Sequence, residues 1–224
     1  MAAKLLKIRY ICHVKTKKGI IEAPMGEKTV LLHTCCAPCS SAIIEAMMQN
    51  GITPVIYYCN PNIYPFEEYE IRKNECTRYA ESLGLEIVDD DYDHEGWLEA
   101  VKGLEDEPER GGRCLKCFKI RLLRTARYAQ SRGIKVITTT LASSRWKSLD
   151  QINKAGRWAC SQISGMPQGA VGTGRLGVDV SPVMFWEHNW RKGGLQERRL
   201  QIINEYGFYN QQYCGCEFSM RKDV

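Results

Sequence analysis

The chain is 224 residues long, 44% apolar and 25% charged, with 31 Lys and Arg against 26 Asp and Glu. A globular protein of this size buries about 70% of its unfolded surface, which gives one domain with an appendage rather than a chain that needs stapling. No apolar run approaches the roughly twenty residues that span a bilayer, and the net charge of +5 permits a polyanionic partner without demanding one.

The N-terminus leads into alternating basic and apolar residues without a signal-peptide core, so the expected location is the cytoplasm. Eleven cysteines are many for such a protein, and an odd number cannot all pair within one chain. In a reducing compartment, close-spaced cysteines are metal ligands or catalytic thiols more often than bridges.

Residues 1–27 read as an extension, either a hairpin or an arm, with Cys12 as a small buried hydrophobe. Thr29 to His33 predicts a buried strand and Ser40 to Asn50 a helix capped by Ser40 or Ser41, so Cys35, Cys36 and Cys39 fall at a strand-to-helix turn. Thr53 to Tyr58 is a second strand ending in a loop with two prolines, Cys59 to Pro65. The helix from Phe66 to Leu83 carries Cys76 on its apolar stripe, and Gly84 stops it. Leu85 to Val88 is a third strand, opening into the acidic loop Asp89 to Glu95, and Trp97 to Leu104 a short helix.

A polar loop then delivers Cys114 and Cys117, one turn apart on a helix with basic outer faces that Gly133 ends. Val136 to Thr140 is a fourth strand, and Ser148 to about Gln162 a helix with Cys160 in its core face. Residues 164–177 are glycine-rich, a last helix lies near Leu195 to Tyr206, and Cys214 and Cys216 follow close to the end. Strands alternating with helices imply a parallel, right-handed α/β sheet.

Seven thiols thus lie in three groups, near positions 35, 115 and 215, and the expectation is that folding gathers them at the carboxyl end of the sheet. Structural zinc needs four ligands, and adjacent Cys35 and Cys36 suit two neighbouring metals better than one. An iron-sulfur cluster on four thiolates, with the others free for a second metal, fits the count as well. Both remain open on spacing alone.

His33-Thr34-Cys35-Cys36-Ala37-Pro38-Cys39-Ser40, Asn60-Pro61-Asn62-Ile63, Glu68-Tyr69 with Arg72, Tyr92-Asp93, Arg113 to Phe118 with Arg121-Leu122, Thr138 to Leu141 with Ser144, and Tyr213 to Cys216 together resemble the QueH family of epoxyqueuosine reductases. The resemblance runs in order over residues 28–219, leaving 220–224 as a tail, and departs at Cys59, at Asn189-Trp190 and at Asn210. It implies a Rossmann-like fold of the adenine nucleotide alpha hydrolase kind, with a C-terminal section closing over the metal site. It also implies reduction of the epoxide of epoxyqueuosine at the wobble position of tRNA, a [4Fe-4S] cluster and a second iron held by Cys35, Cys36, Cys39, Cys114, Cys117, Cys214 and Cys216.

Opening an epoxide to an alkene and water takes two electrons and two protons. No dinucleotide-binding glycine motif follows a strand, so an external carrier, a ferredoxin or flavodoxin, is expected to supply electrons. Asp93, Tyr64 and Tyr92, on loops at strand ends, are the expected acids, with Asp93 also a candidate iron ligand; His33 and His94 are read as structural. Asn60, Asn62, Arg72, Arg113, Lys116, Arg145, Lys147, Arg191 and Lys192 are the expected tRNA contacts. The alternatives are a tRNA thiolation enzyme, disfavoured because the turn Cys35 to Ser40 has no phosphate-cradling glycine, and a zinc-stapled RNA-binding module.

Overall fold

A computed structural model describes residues 21–164 and 182–220. The readings of residues 1–20, of most of the glycine-rich stretch and of the tail beyond 220 lie outside the described residues. Five strands form one parallel sheet in the order β3-β2-β1-β4-β5, with β1 Thr29–Thr34, β2 Thr53–Tyr58, β3 Ile87–Asp89, β4 Val136–Thr139 and β5 Met184–Phe185. Among the described residues the α-helices are α1 Ala37–Gln49, α2 Phe66–Leu83, α3 His94–Val101, α4 Gly112–Ser131, α5 Leu149–Ile163 and α6 Leu195–Tyr206. None is long and apolar enough to cross a membrane.

The central strand β1 is covered on both faces, which is why it reads as an unbroken run, Val30 to Thr34 all buried. From β1 the chain steps outward through β2 to β3, then returns to pair β4 with the other side of β1. Right-handed crossovers made in opposite directions put α1 and α2 on one face and α4 and α5 on the other, and the packing agrees: α1 meets α2 and α6, while α4 meets α5. Strand order reverses between β1 and β4. The crevice at the carboxyl ends of those two strands is where open α/β sheets bind ligands. Cys35-Cys36 follow β1 there directly, and Thr140 follows β4.

Several boundaries differ from the sequence reading. Helix α1 begins at Ala37, inside the cysteine turn, and its N-cap is Cys36 rather than Ser40 or Ser41. Pro38 sits in the first turn, where a missing N–H costs nothing. Ser40 instead folds its hydroxyl back to the carbonyls of Cys36 and Ala37. Strand β3 starts at Ile87 and α3 at His94, so the acidic stretch is half absorbed into regular structure. Strand β5 was not foreseen: two residues carry no periodicity, and only pairing with Val136 and Ile137 defines them. Helix α6 is tied to α1 by a buried ion pair, Arg198 to Glu45 at 2.7 Å, and this fixes the C-terminal section over the sheet.

Candidate metal centre

Cys35, Cys36 and Cys39 place their sulfurs within 4.8 Å of one another. The extended backbone of Cys36, with φ −172° and ψ 159°, turns consecutive side chains so that the Cys35 and Cys36 sulfurs still approach to 3.9 Å. Adjacent cysteines therefore do share a site here, contrary to the reservation the sequence raised. Thr140 locks the turn from the other side of the crevice: its hydroxyl accepts the Cys35 N–H at 3.1 Å and donates to the Cys35 sulfur at 3.3 Å. Cys36 is 1% exposed, whereas Cys35 and Cys39 keep 9% and 8%, so the cluster opens toward solvent through the latter two.

The other four thiols are brought up by two elements. Cys114 and Cys117 lie in the first turns of α4, and the Arg113 guanidinium anchors that end by donating to the carbonyls of Leu104, Glu105 and Glu107. Cys214 and Cys216 sit on a loop held by Arg72, which donates to the carbonyls of Tyr213 and Cys214 while paired with Glu68 at 2.6 Å. The Tyr64 N–H donates to the Gly215 carbonyl at 2.8 Å. Gly215 has φ +112°, and a Cβ there would stand 2.9 Å from Ile63 Cγ1 and 3.0 Å from Arg72 Nη1. Cys117 and Cys216 then pack together with Trp97 and Val101.

Two cations sit among the three groups. Burial alone would lower the pKa of Arg121, but Cys117, Cys35, Cys214 and Cys59 lie close enough to outweigh it. The same holds for Lys147, raised against burial by Cys214, Cys35 and Cys39. Each cation therefore lies within electrostatic reach of both the turn after β1 and the C-terminal loop. Hydrogen bonds from Cys36 and Cys39 hold Cys35 below the ordinary thiol range, with Lys147 and Arg121 adding to the effect. Hydrogen bonding to Cys35 pushes Cys39 up to about 12. Burial, then Cys117, pushes Cys216 up to about 12.

Except for Cys35, these buried thiols resist ionising on their own. A bound metal ion is what would stabilise them as thiolates. All ten cysteines among the described residues are free of disulfides. The indole N–H of Trp97 is buried against Cys117 and Cys216 and acts on the Cys117 sulfur, lowering that thiol's pKa against the larger effect of burial. The donor set thus fits iron-sulfur chemistry, with four thiols in one neighbourhood and three in another.

The remaining candidates scatter. The Asp93 carboxylate caps α3, accepting the Gly96 N–H at 3.0 Å, and it does not join Cys35, Cys36 and Cys39 as a potential ion-sharing group. Tyr92 is half-buried and donates its hydroxyl to the Ile63 carbonyl at 2.7 Å. Tyr64 is 43% exposed and stacks on His94. His94 bridges the Pro61 carbonyl and Glu217, and His33 bridges Thr139 and the Cys59 carbonyl, both structural as expected.

Asn60, Asn62, Arg72 and Arg113, expected at the tRNA surface, are buried instead. Asn60 donates to the Thr34 carbonyl and accepts from Arg121, so with Arg72 and Arg113 it braces the thiol-bearing loops. Lys116, Arg145 and Lys192 are exposed, and Lys147 and Arg191 half-buried. Arg121 was given no role in the sequence reading. Its signal was there: it lies four residues after Cys117, on the same face of α4.

A family model described as epoxyqueuosine reductase QueH matches residues 30–169 and 172–222. The chain is 43% identical over 201 residues to a curated relative of Histophilus somni named epoxyqueuosine reductase QueH, covering 90% of this chain and 76% of the relative. A relative of the same name from Haemophilus influenzae is 42% identical, with 90% and 75% covered. One from Thermotoga maritima is 32% identical over 195 residues, with 86% and 90% covered.

Proposed function

The chain belongs to the QueH family of epoxyqueuosine reductases, and from that premise we propose that it reduces the epoxide of epoxyqueuosine at the tRNA wobble position to queuosine, in the cytoplasm. The observation that carries this reading is the convergence of three thiol groups on Arg121 and Lys147 at the switch point of the sheet.

Cys114, Cys117, Cys214 and Cys216 would hold a [4Fe-4S] cluster, and Cys35, Cys36 and Cys39 the second iron. The division follows the packing of Cys117 with Cys216 and the close approach of the other three sulfurs. When bound, a cluster supplies electrons singly, and an iron with an open position polarises an oxygen as a Lewis acid. Reducing equivalents come from a ferredoxin or flavodoxin.

The protein's own groups do the rest. Lys147 keeps a proton on Nζ beside Cys35 and Cys39, the two less deeply buried thiols of their group. There it would orient the epoxide oxygen and stabilise charge developing on it. Tyr64 is the candidate for a solvent-linked proton, because its ring is exposed while the Asp93 carboxylate and the Tyr92 hydroxyl are occupied by backbone groups. Arg145, Lys147, Arg191, Lys192 and Lys116 would take the tRNA backbone.

Anaerobically prepared protein, mixed with reduced ferredoxin and tRNA carrying epoxyqueuosine, should yield nucleoside lighter by one oxygen atom. Unchanged epoxyqueuosine with fully reduced, iron-loaded protein would refute the assignment.

A further inference from the structure

The segment Ser144 to Lys147 follows the turn after β4 and brings Lys147 within electrostatic reach of Cys35, Cys39 and Cys214, and its Trp146 is 65% exposed, more than any other large apolar side chain among the described residues. A single exposed indole needs no partner by itself, and it is the surroundings of this one that set it apart. Its immediate setting is cationic. The Arg145 guanidinium lies 5.1 Å from the ring centroid. Arg110 donates to the carbonyls of Trp146 at 2.9 Å and Arg145 at 3.1 Å, and Arg191 donates to the Lys147 carbonyl at 2.7 Å.

Two features of these cations suit an anionic ligand. None of Arg110, Arg145, Lys147 and Arg191 forms an ion pair with a carboxylate among the described residues, although their neighbours across the molecule do. Arg191 is also left with a buried Nε–H that finds no acceptor, beside the like charge of Arg110. Like charges held together by backbone carbonyls, around an exposed aromatic face, match a polyanion whose bases are unpaired. Two other exposed aromatics, Tyr64 and Phe66, stack instead on His94 and Tyr92, which lie by the carboxylates of Glu217 and Glu67 that would repel a phosphate backbone.

We propose that Trp146 is a stacking platform for an unpaired anticodon-loop base next to the modified nucleoside, with Arg145 and Arg191 on the adjoining phosphates and Arg110 fixing the loop. This rests on the tRNA reading above and names where the RNA lies. Stacking on an aromatic side chain tolerates any base and is worth enough that removing it weakens binding roughly 5- to 150-fold. Because Lys147 is the next residue and faces Cys35 and Cys39, a base on Trp146 would set the neighbouring nucleoside over the thiols.

The test measures binding of an unmodified anticodon stem-loop RNA to iron-loaded protein, apart from turnover. Trp146→Ala should raise Kd and KM by that factor while leaving iron content and melting temperature unchanged, Trp146→Phe should restore most of the affinity, and Leu200→Ala, an exposed apolar side chain on α6, should change nothing. Hydroxyl-radical footprinting of the unaltered protein should show Trp146 protected by the RNA.

A Kd for Trp146→Ala within twofold of the unaltered protein, no rescue by Phe, or protection by reduced ferredoxin instead of RNA would overturn the proposal while leaving the reductase reading intact. If the unaltered protein neither binds the stem-loop nor reduces epoxyqueuosine, both fall.

Discussion

Gly215 is the narrowest point of the metal site, and Gly215→Ala isolates it. Its φ of +112° lies where side chains are strained, at about 1–3 kcal/mol. The added methyl would also stand 3.0 Å from Arg72 Nη1 and 2.9 Å from Ile63, both of them buried. Displacing Arg72 weakens its bonds to the carbonyls of Tyr213 and Cys214, at about 1.5–3 kcal/mol for a charged donor. The closed loop is thus disfavoured by about 2.5–6 kcal/mol, or roughly 10²- to 10⁴-fold in population. Cys214 and Cys216 would leave the site while the sheet stays folded, because this loop is held by Arg72 on α2 and by the Tyr64 N–H, not by a ladder bond to a strand. Anaerobic iron and sulfide content should collapse with an unchanged far-ultraviolet circular dichroism spectrum. Full iron content and activity in Gly215→Ala would refute the reasoning.

Other expectations follow from the same contacts. Cys117→Ala or Cys216→Ala should abolish turnover and bleach the iron-sulfur absorbance, whereas Cys76→Ala, buried on the apolar stripe of α2 and outside the group of sulfurs that lie within 4.8 Å of one another, should retain most of both. His33 is held neutral by burial and then by Arg121, with its pKa lowered from 6.5 to about 3. Only the unfolded chain takes up this proton between those values, so stability is complete above the unfolded pKa and falls on acidification by about 1.4 kcal/mol per pH unit until near 3. Urea unfolding near pH 7 and pH 5 should show that loss in the protein and not in His33→Gln. Arg198→Ala strands Glu45, which is 2% exposed, and should cost about 3–5 kcal/mol in denaturant unfolding, with α6 released from α1.

What the sequence conveyed was the part written in periodicity and punctuation. The apolar runs of β1, β2 and β4 and the glycine stops after α2 and α4 appear in the structure within a residue or two. Cys35, Cys36 and Cys39 lie on a strand-to-helix turn and Cys114 and Cys117 at the start of the helix that leads back to β4, so both face the carboxyl edge of the sheet, while the loop of Cys214 and Cys216 is held by Arg72. Burial of charge was not readable. Arg72 and Arg113 look like surface cations in one dimension, and only the fold shows their guanidiniums turned inward to carbonyls that the thiol-bearing loops expose. Asp93 was a candidate because it stands on a loop at a strand end, facing the same edge as Cys35, and the structure gives its carboxylate a further role, the cap of α3 three residues before Gly96. Trp146 drew no attention in the sequence, since exposure of an aromatic carries no pattern.

Iron and acid-labile sulfide analysis with Mössbauer spectroscopy, on anaerobic protein and on a variant with Cys35, Cys36 and Cys39 all changed to Ala, tests the division of thiols most directly. The account expects about five irons and four sulfides per chain in the protein, and about four irons with the cluster spectrum retained in the variant. Zinc without sulfide, or loss of the cluster on changing those three cysteines, would contradict it.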